Sequence, residues 1–141
     1  MNREMVESRI REVNDASQLL RRLLNKGYKN LSIYDKLSMR YLIIQLVEAA
    51  AGICVEVFSS IYGETVEGFP ESFIRLGEKG IIPRETAYSL ASASRLRNLL
   101  VHRYWVIDDE KIYSSTKEGL NDFHEFIKRV REILEENPDE T

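Results

Sequence analysis

A chain of 141 residues with 43% hydrophobic and 30% charged content is long enough to bury one substantial core and short for two, so one domain over 1–141 is expected. Its net charge of −3 and pI near 5.5 exclude a surface coated with cations for indiscriminate nucleic-acid binding. Any polynucleotide contact must therefore be local.

The N-terminus, Met1-Asn2-Arg3-Glu4, opens a charged amphipathic segment without the apolar region of a secretory signal. Val6, Ile10, Val13, Leu20 and Leu24 follow the three-to-four spacing of one helical face, which predicts a first helix over about 3–26 with Gly27 as its stop. After a loop at Tyr28–Tyr34, with Ser32 or Asp35 as N-cap, a long apolar helix is expected from about 35 to 61, ending before Gly63. Its stretch from Tyr41 to Tyr62 is apolar enough to raise the question of a membrane. Gln45, Glu48 and Glu56 interrupt it, however, and a central helix buried on most sides is the better reading. Cys54, the only cysteine, lies in this apolar run. It fits a buried, inert thiol in a reducing cytoplasm.

Gly63–Phe69 has the composition of an ordered surface loop. Pro70 suits the first turn of a short helix closing at Gly80, and Pro83 that of a fourth helix over about 83–104. The small residues Ala87, Ser89, Ala91, Ser92, Ala93 and Ser94 let another helix approach this one closely, so it is expected near the centre. Asp108-Asp109-Glu110 can start a last helix whose apolar face, from Ile112 to Leu134, runs to about residue 135. The tail beyond it, about 136–141, should fray. No strand, repeat, glycine-rich phosphate loop or Cys/His metal spacing is evident. The expected fold is all-α, an antiparallel bundle of about five helices.

The end of the fourth helix stands apart chemically. Arg97-Asn98-Leu99-Leu100-Val101-His102-Arg103-Tyr104 joins a guanidinium, an amide, an imidazole and a phenol in one short stretch. No carboxylate lies between Glu85 and Asp108, where the composition predicts roughly three or four, while Arg95, Arg97 and Arg103 all do. At 100° per residue Asn98 and His102 share a face, with Arg95 one turn earlier, so the amide can orient the imidazole. Arg97 and Tyr104, seven residues apart, share a different face. Arg97 and His102 lie about 140° apart, so joint action needs arginine's long reach or a helix that loosens near His102.

An imidazole can take or give a proton near neutrality, and an arginine can hold two phosphate oxygens and stabilise charge on them. The chemistry that suits this pair is RNA cleavage without a metal or cofactor, the ribose 2′-hydroxyl attacking the adjacent phosphate. Arg97 and His102 are the candidate catalytic residues, Asn98 and Tyr104 support them, and Arg95 and Arg103 are candidate RNA contacts. His124, among Asp122, Glu125 and Lys128 on the last helix, reads as solvated surface.

Arg97-x4-His102-x-Tyr104, late in an all-helical chain of this size, resembles the Arg-x4–6-His motif of the HEPN ribonucleases and, more narrowly, the HepT-like toxins of prokaryotic toxin–antitoxin pairs. The resemblance extends to the amphipathic first helix, the long apolar second helix, the segment Phe73-Ile-Arg-Leu-Gly-Glu-Lys-Gly80-Ile-Ile, and the last helix after Ile107-Asp-Asp-Glu-Lys-Ile-Tyr113. It implies an HEPN-like fold and a homodimer formed through the motif-bearing helices, with RNA, either tRNA or mRNA, meeting an Arg97/His102 pair from each subunit. It also implies a nucleotidyltransferase antitoxin as partner, silencing the toxin by adding AMP to Tyr104. Two other readings stand beside it. One is a non-catalytic helical module that binds a nucleotidyltransferase or a nucleotide; the other is a purely structural dimeric bundle.

Overall fold

The computed structural model describes residues 1–137, the side chain of Tyr104 excepted. The tail expected to fray at 136–141 lies outside the described residues from 138 onward. Glu136 still closes the last helix.

Five α-helices are present among the described residues: α1 (Arg3–Lys26), α2 (Ile33–Val57), α3 (Phe69–Glu78), α4 (Arg84–His102) and α5 (Asp109–Glu136). Each end has a chemical cause. Gly27, at φ 83°, stops α1 in a conformation that disfavours residues with a Cβ, and its N–H donates to the Leu24 carbonyl. Ser32, rather than Asp35, is the N-cap of α2. The Asp35 N–H donates to Ser32 Oγ and the Ser32 N–H to Asp35 Oδ2, both at 3.0 Å, which starts the helix two residues earlier than expected. The Ser32 N–H and the Lys26 ammonium hold the Asp35 carboxyl below its ordinary pKa. After Val57 the chain continues as a π-helical turn, Phe58–Tyr62, and Gly63 in the left-handed region ends it. Pro70 sits in the first turn of α3, whereas Pro83 is one residue ahead of α4 as its N-cap. Asp108 starts α5 by accepting from the Glu110 and Lys111 N–H groups.

The helices form an antiparallel bundle in which α2 is the central element, touching all four others. The stretch Ile33–Tyr62 is long and apolar enough to cross a membrane, yet 61% of its apolar window is buried inside the fold. Burial of Met39, Ile43, Leu46, Val47, Ala50, Ile53, Cys54 and Val57 accounts for its composition. Cys54 is fully buried, and desolvation pushes its thiol far above the ordinary range, leaving it inert. Phe73 of α3 meets Phe126 of α5 edge-to-face, ring centroids 6.0 Å apart, and both rings are buried. Arg40 of α2 clamps Asp109, in the first turn of α5, through two hydrogen bonds of 2.7 and 2.8 Å.

The contact of α3 with α4 depends on a missing side chain. A Cβ placed on Gly77 would come within 2.7 Å of Ala87 Cβ, so any larger residue must push the two helices apart. Gly77→Ala is therefore expected to destabilise the fold by about 1–3 kcal/mol, measurable by urea denaturation. A variant as stable as the parent would contradict the close approach.

Candidate functional site

The helix α4 turns Ala87, Leu90, Ala91 and Ser94 into the core, with the Ser94 hydroxyl donating to the Ala91 carbonyl at 2.8 Å. That register determines where the polar residues of its last turns go. The helix remains regular to His102, as the Arg103 N–H still donates to Leu99 O at 2.8 Å. At Arg103 the backbone leaves helical geometry, with φ −137° and ψ 44°, and Tyr104–Val106 form a separate 3₁₀ turn. Tyr-Trp-Val-Ile is a weak helix-forming run, and Asp108 already caps the next helix. The expected continuation of α4 to 104 is thus corrected: Tyr104 is not on the same helix surface as Arg97. Its side chain lies outside the described residues.

Arg97 is fixed on three sides. Nη2 donates to Glu48 Oε1 of α2 at 2.6 Å, Nη1 donates to Asn98 Oδ1 at 2.9 Å, and the guanidinium carbon lies 4.8 Å from the centre of the Phe69 ring at the start of α3. The side chain is only 16% exposed, and its Nε is buried without a hydrogen-bond partner. An ion pair to a carboxylate combined with a cation–π face contact defines both the position and the plane of the guanidinium.

The sequence led us to expect Asn98 to orient His102. Instead its amide oxygen accepts from Arg97, and among the described residues the His102 imidazole makes no hydrogen bond. His102 is exposed on the final turn, in line with exposed Arg95 one turn pair earlier, while Arg103 is also exposed. Because the helix does not loosen before His102, the ideal separation of about 140° between Arg97 and His102 persists. The guanidinium faces α2 and α3; the imidazole faces outward. The fold therefore brings together Arg97, Asn98, Glu48 and Phe69, and leaves Arg95, His102 and Arg103 on the solvent side. Trp105 and Val106, also exposed, follow directly. His124 is exposed on α5, as expected.

Chemically, the end of α4 offers a held cation and a solvent-facing imidazole at a helix C-terminus. A profile of the family described as ribonuclease HepT-like matches residues 10–130. The chain belongs to the HepT-like ribonuclease family. It is 34% identical over 95 residues to a protein of Archaeoglobus fulgidus named as an RNase, covering 67% of this chain and 71% of that one. Against the tRNA nuclease HepT of Aphanizomenon flos-aquae it is 31% identical over 117 residues, covering 77% of this chain and 79% of the relative. Among solved structures, a tri-AMPylated HEPN toxin of Shewanella oneidensis in complex with MNT antitoxin superposes with a TM-score of 0.83 at 18% identity, covering 94% of this chain and 99% of that one. At that identity the likeness is one of fold, and it matches the all-α HEPN-like bundle expected from the sequence.

In this HepT-like chain, two residues of the arginine's surroundings escaped the sequence reading. Glu48 figured there only as an interruption in an apolar helix, and Phe69 only as the end of a loop. The sequence held only half of this signal: Glu48 breaks an apolar helix and the acid-free stretch Glu85–Asp108 carries three arginines, but an exposed carboxylate has no need of a partner, so nothing in the pattern pairs the two.

Proposed function

We propose that this protein, as one HepT-like unit over 1–141, is a cytoplasmic, metal-independent endoribonuclease toxin of a toxin–antitoxin pair. In this reading His102 moves a proton at the ribose 2′-hydroxyl or the leaving oxygen, Arg97 stabilises the charge on the scissile phosphate, and Arg95 and Arg103 hold the flanking RNA, a tRNA or an mRNA. Asn98 and Glu48 hold Arg97 in place. The observation that carries the reading is a fixed guanidinium and a solvent-facing imidazole in the order Arg97-x4-His102, on one helix of a HepT-like chain.

The divergence of Arg97 and His102 supports a site completed by a second copy. In-line cleavage benefits from both a base and an acid, and each chain supplies one histidine at the motif. Two motif-bearing helices facing each other would provide both. A nucleotidyltransferase antitoxin is the proposed partner, adding AMP to Tyr104, where a bulky anion beside the arginines would block RNA.

Purified protein is expected to cleave RNA in excess EDTA and to leave 2′,3′-cyclic phosphate ends, read by end-specific ligation and mass spectrometry. Cleavage that appears only after a divalent metal is added back, or that leaves 5′-phosphates, would overturn the mechanism.

A further inference from the structure

We infer that Glu48 is a positioning residue for the reaction, acting through Arg97; this rests on the ribonuclease reading above. A lone arginine with several rotatable bonds is a poor electrostatic catalyst, because its charge must be held where the transition state develops it. Here the side chain has five N–H donors, two of which are committed within the fold. One hydrogen of Nη2 goes to Glu48 at 2.6 Å and one of Nη1 to Asn98 at 2.9 Å, while Nε is buried. One hydrogen on each Nη nitrogen remains, enough to grip two phosphate oxygens.

The three anchors are unequal. Asn98 is the arginine's neighbour in sequence and moves with α4; Phe69 restrains the plane of the guanidinium but not its rotation within that plane. Glu48, 49 residues away on the central helix α2, is the contact that ties the guanidinium to the rest of the fold. Its side chain is 46% exposed against 16% for Arg97, so water screens the carboxylate far more than the cation it holds. Its repulsion of an incoming phosphate is correspondingly weak, and its positioning effect is the larger of the two.

The consequence for kcat and KM differs. Glu48→Ala should lower kcat for a cleavable RNA by about 10- to 100-fold, since misplacement of a charge by about 1 Å costs on that order, while KM stays the same or falls because a negative charge has left. Glu48→Gln, whose amide oxygen can still accept from Nη2, should have a kcat between those of the wild-type protein and Glu48→Ala. Thermal melts establish that each variant is folded. A readout independent of activity is ¹⁵N NMR of the arginine side chains: in the wild-type protein the two Arg97 Nη signals should be separate, because the guanidinium cannot rotate freely, and in Glu48→Ala they should merge. The Arg97→Lys variant assigns these signals.

Merging of the signals with loss of kcat supports the proposal. Unchanged Arg97 signals in Glu48→Ala, or a Glu48→Ala variant that cleaves as fast as or faster than wild type, overturns it. Absence of RNA cleavage by the wild-type protein counts against the ribonuclease reading instead, and the NMR comparison still decides whether Glu48 holds Arg97.

Discussion

Replacing His102 with alanine is expected to lower RNA cleavage by about 10²–10⁴-fold, the usual contribution of a positioned acid or base. The fold should be unaffected, since the imidazole is exposed and makes no hydrogen bond among the described residues. The more telling version of the experiment mixes wild-type and His102→Ala chains in equal amounts after unfolding and refolding them together. If each chain works alone, activity falls to about one half. If cleavage needs the histidine of both copies, only wild-type pairs are active, and random assortment into two-fold pairs leaves about one quarter. The need for both a base and an acid favours the second result, because each chain supplies one histidine at the motif. A strictly linear dependence on the wild-type fraction would remove the requirement for both histidines from the proposal.

The largest expected loss of stability follows from Phe126→Ala. The ring is 1% exposed and packs edge-to-face on Phe73. Truncating a buried phenylalanine typically costs about 3–5 kcal/mol, against a total of about 5–15 kcal/mol for a domain. Urea denaturation should show the midpoint falling with little change in slope; a loss below about 1.5 kcal/mol would mean that the contact of α3 with α5 repacks around the cavity. The consequence reaches the arginine as well, because α3 begins at Phe69, beneath the guanidinium. A helix released from Phe126 no longer holds that ring in place.

The parts of the fold that sequence reading recovered are those with local causes. The apolar faces of α1 and α5, the stop at Gly27 and the Asp108 cap all depend on residues within one or two turns of each other. Two features with competing local causes were placed less well. Pro83 suits either the N-cap or the first turn, and the end of α4 was set two residues late because the side-chain pattern runs on smoothly through Tyr104 while the backbone turns at Arg103. The site was legible as chemistry but not as geometry. The residue types in Arg97–Tyr104 announce themselves in the sequence, whereas the assignment of Asn98 to His102 failed because helical spacing identifies which groups are able to meet, not which partner wins. Arg97, charged and largely buried, outcompetes a solvent-exposed imidazole for the amide oxygen. Pairing between Glu48 and Arg97 is set by the packing of α2 on α4, information that no window of sequence contains.

The π turn at Phe58–Tyr62 carries an implication for how such chains tolerate insertions and deletions. The Gly63 and Glu64 N–H groups both return to the Phe58 carbonyl, so this turn holds one residue more than an α-helical path would need. Deleting a residue there would restore ordinary spacing and swing everything after it by about 100°. That rotation would carry Tyr62 away from the Lys79 ammonium, 4.2 Å from its ring, and Glu64 away from Arg75 and Lys79. A residue added or lost a few positions later, in the loop 65–68, would leave those contacts in register. Length variation among related chains should therefore gather in the loop and avoid the turn immediately before it.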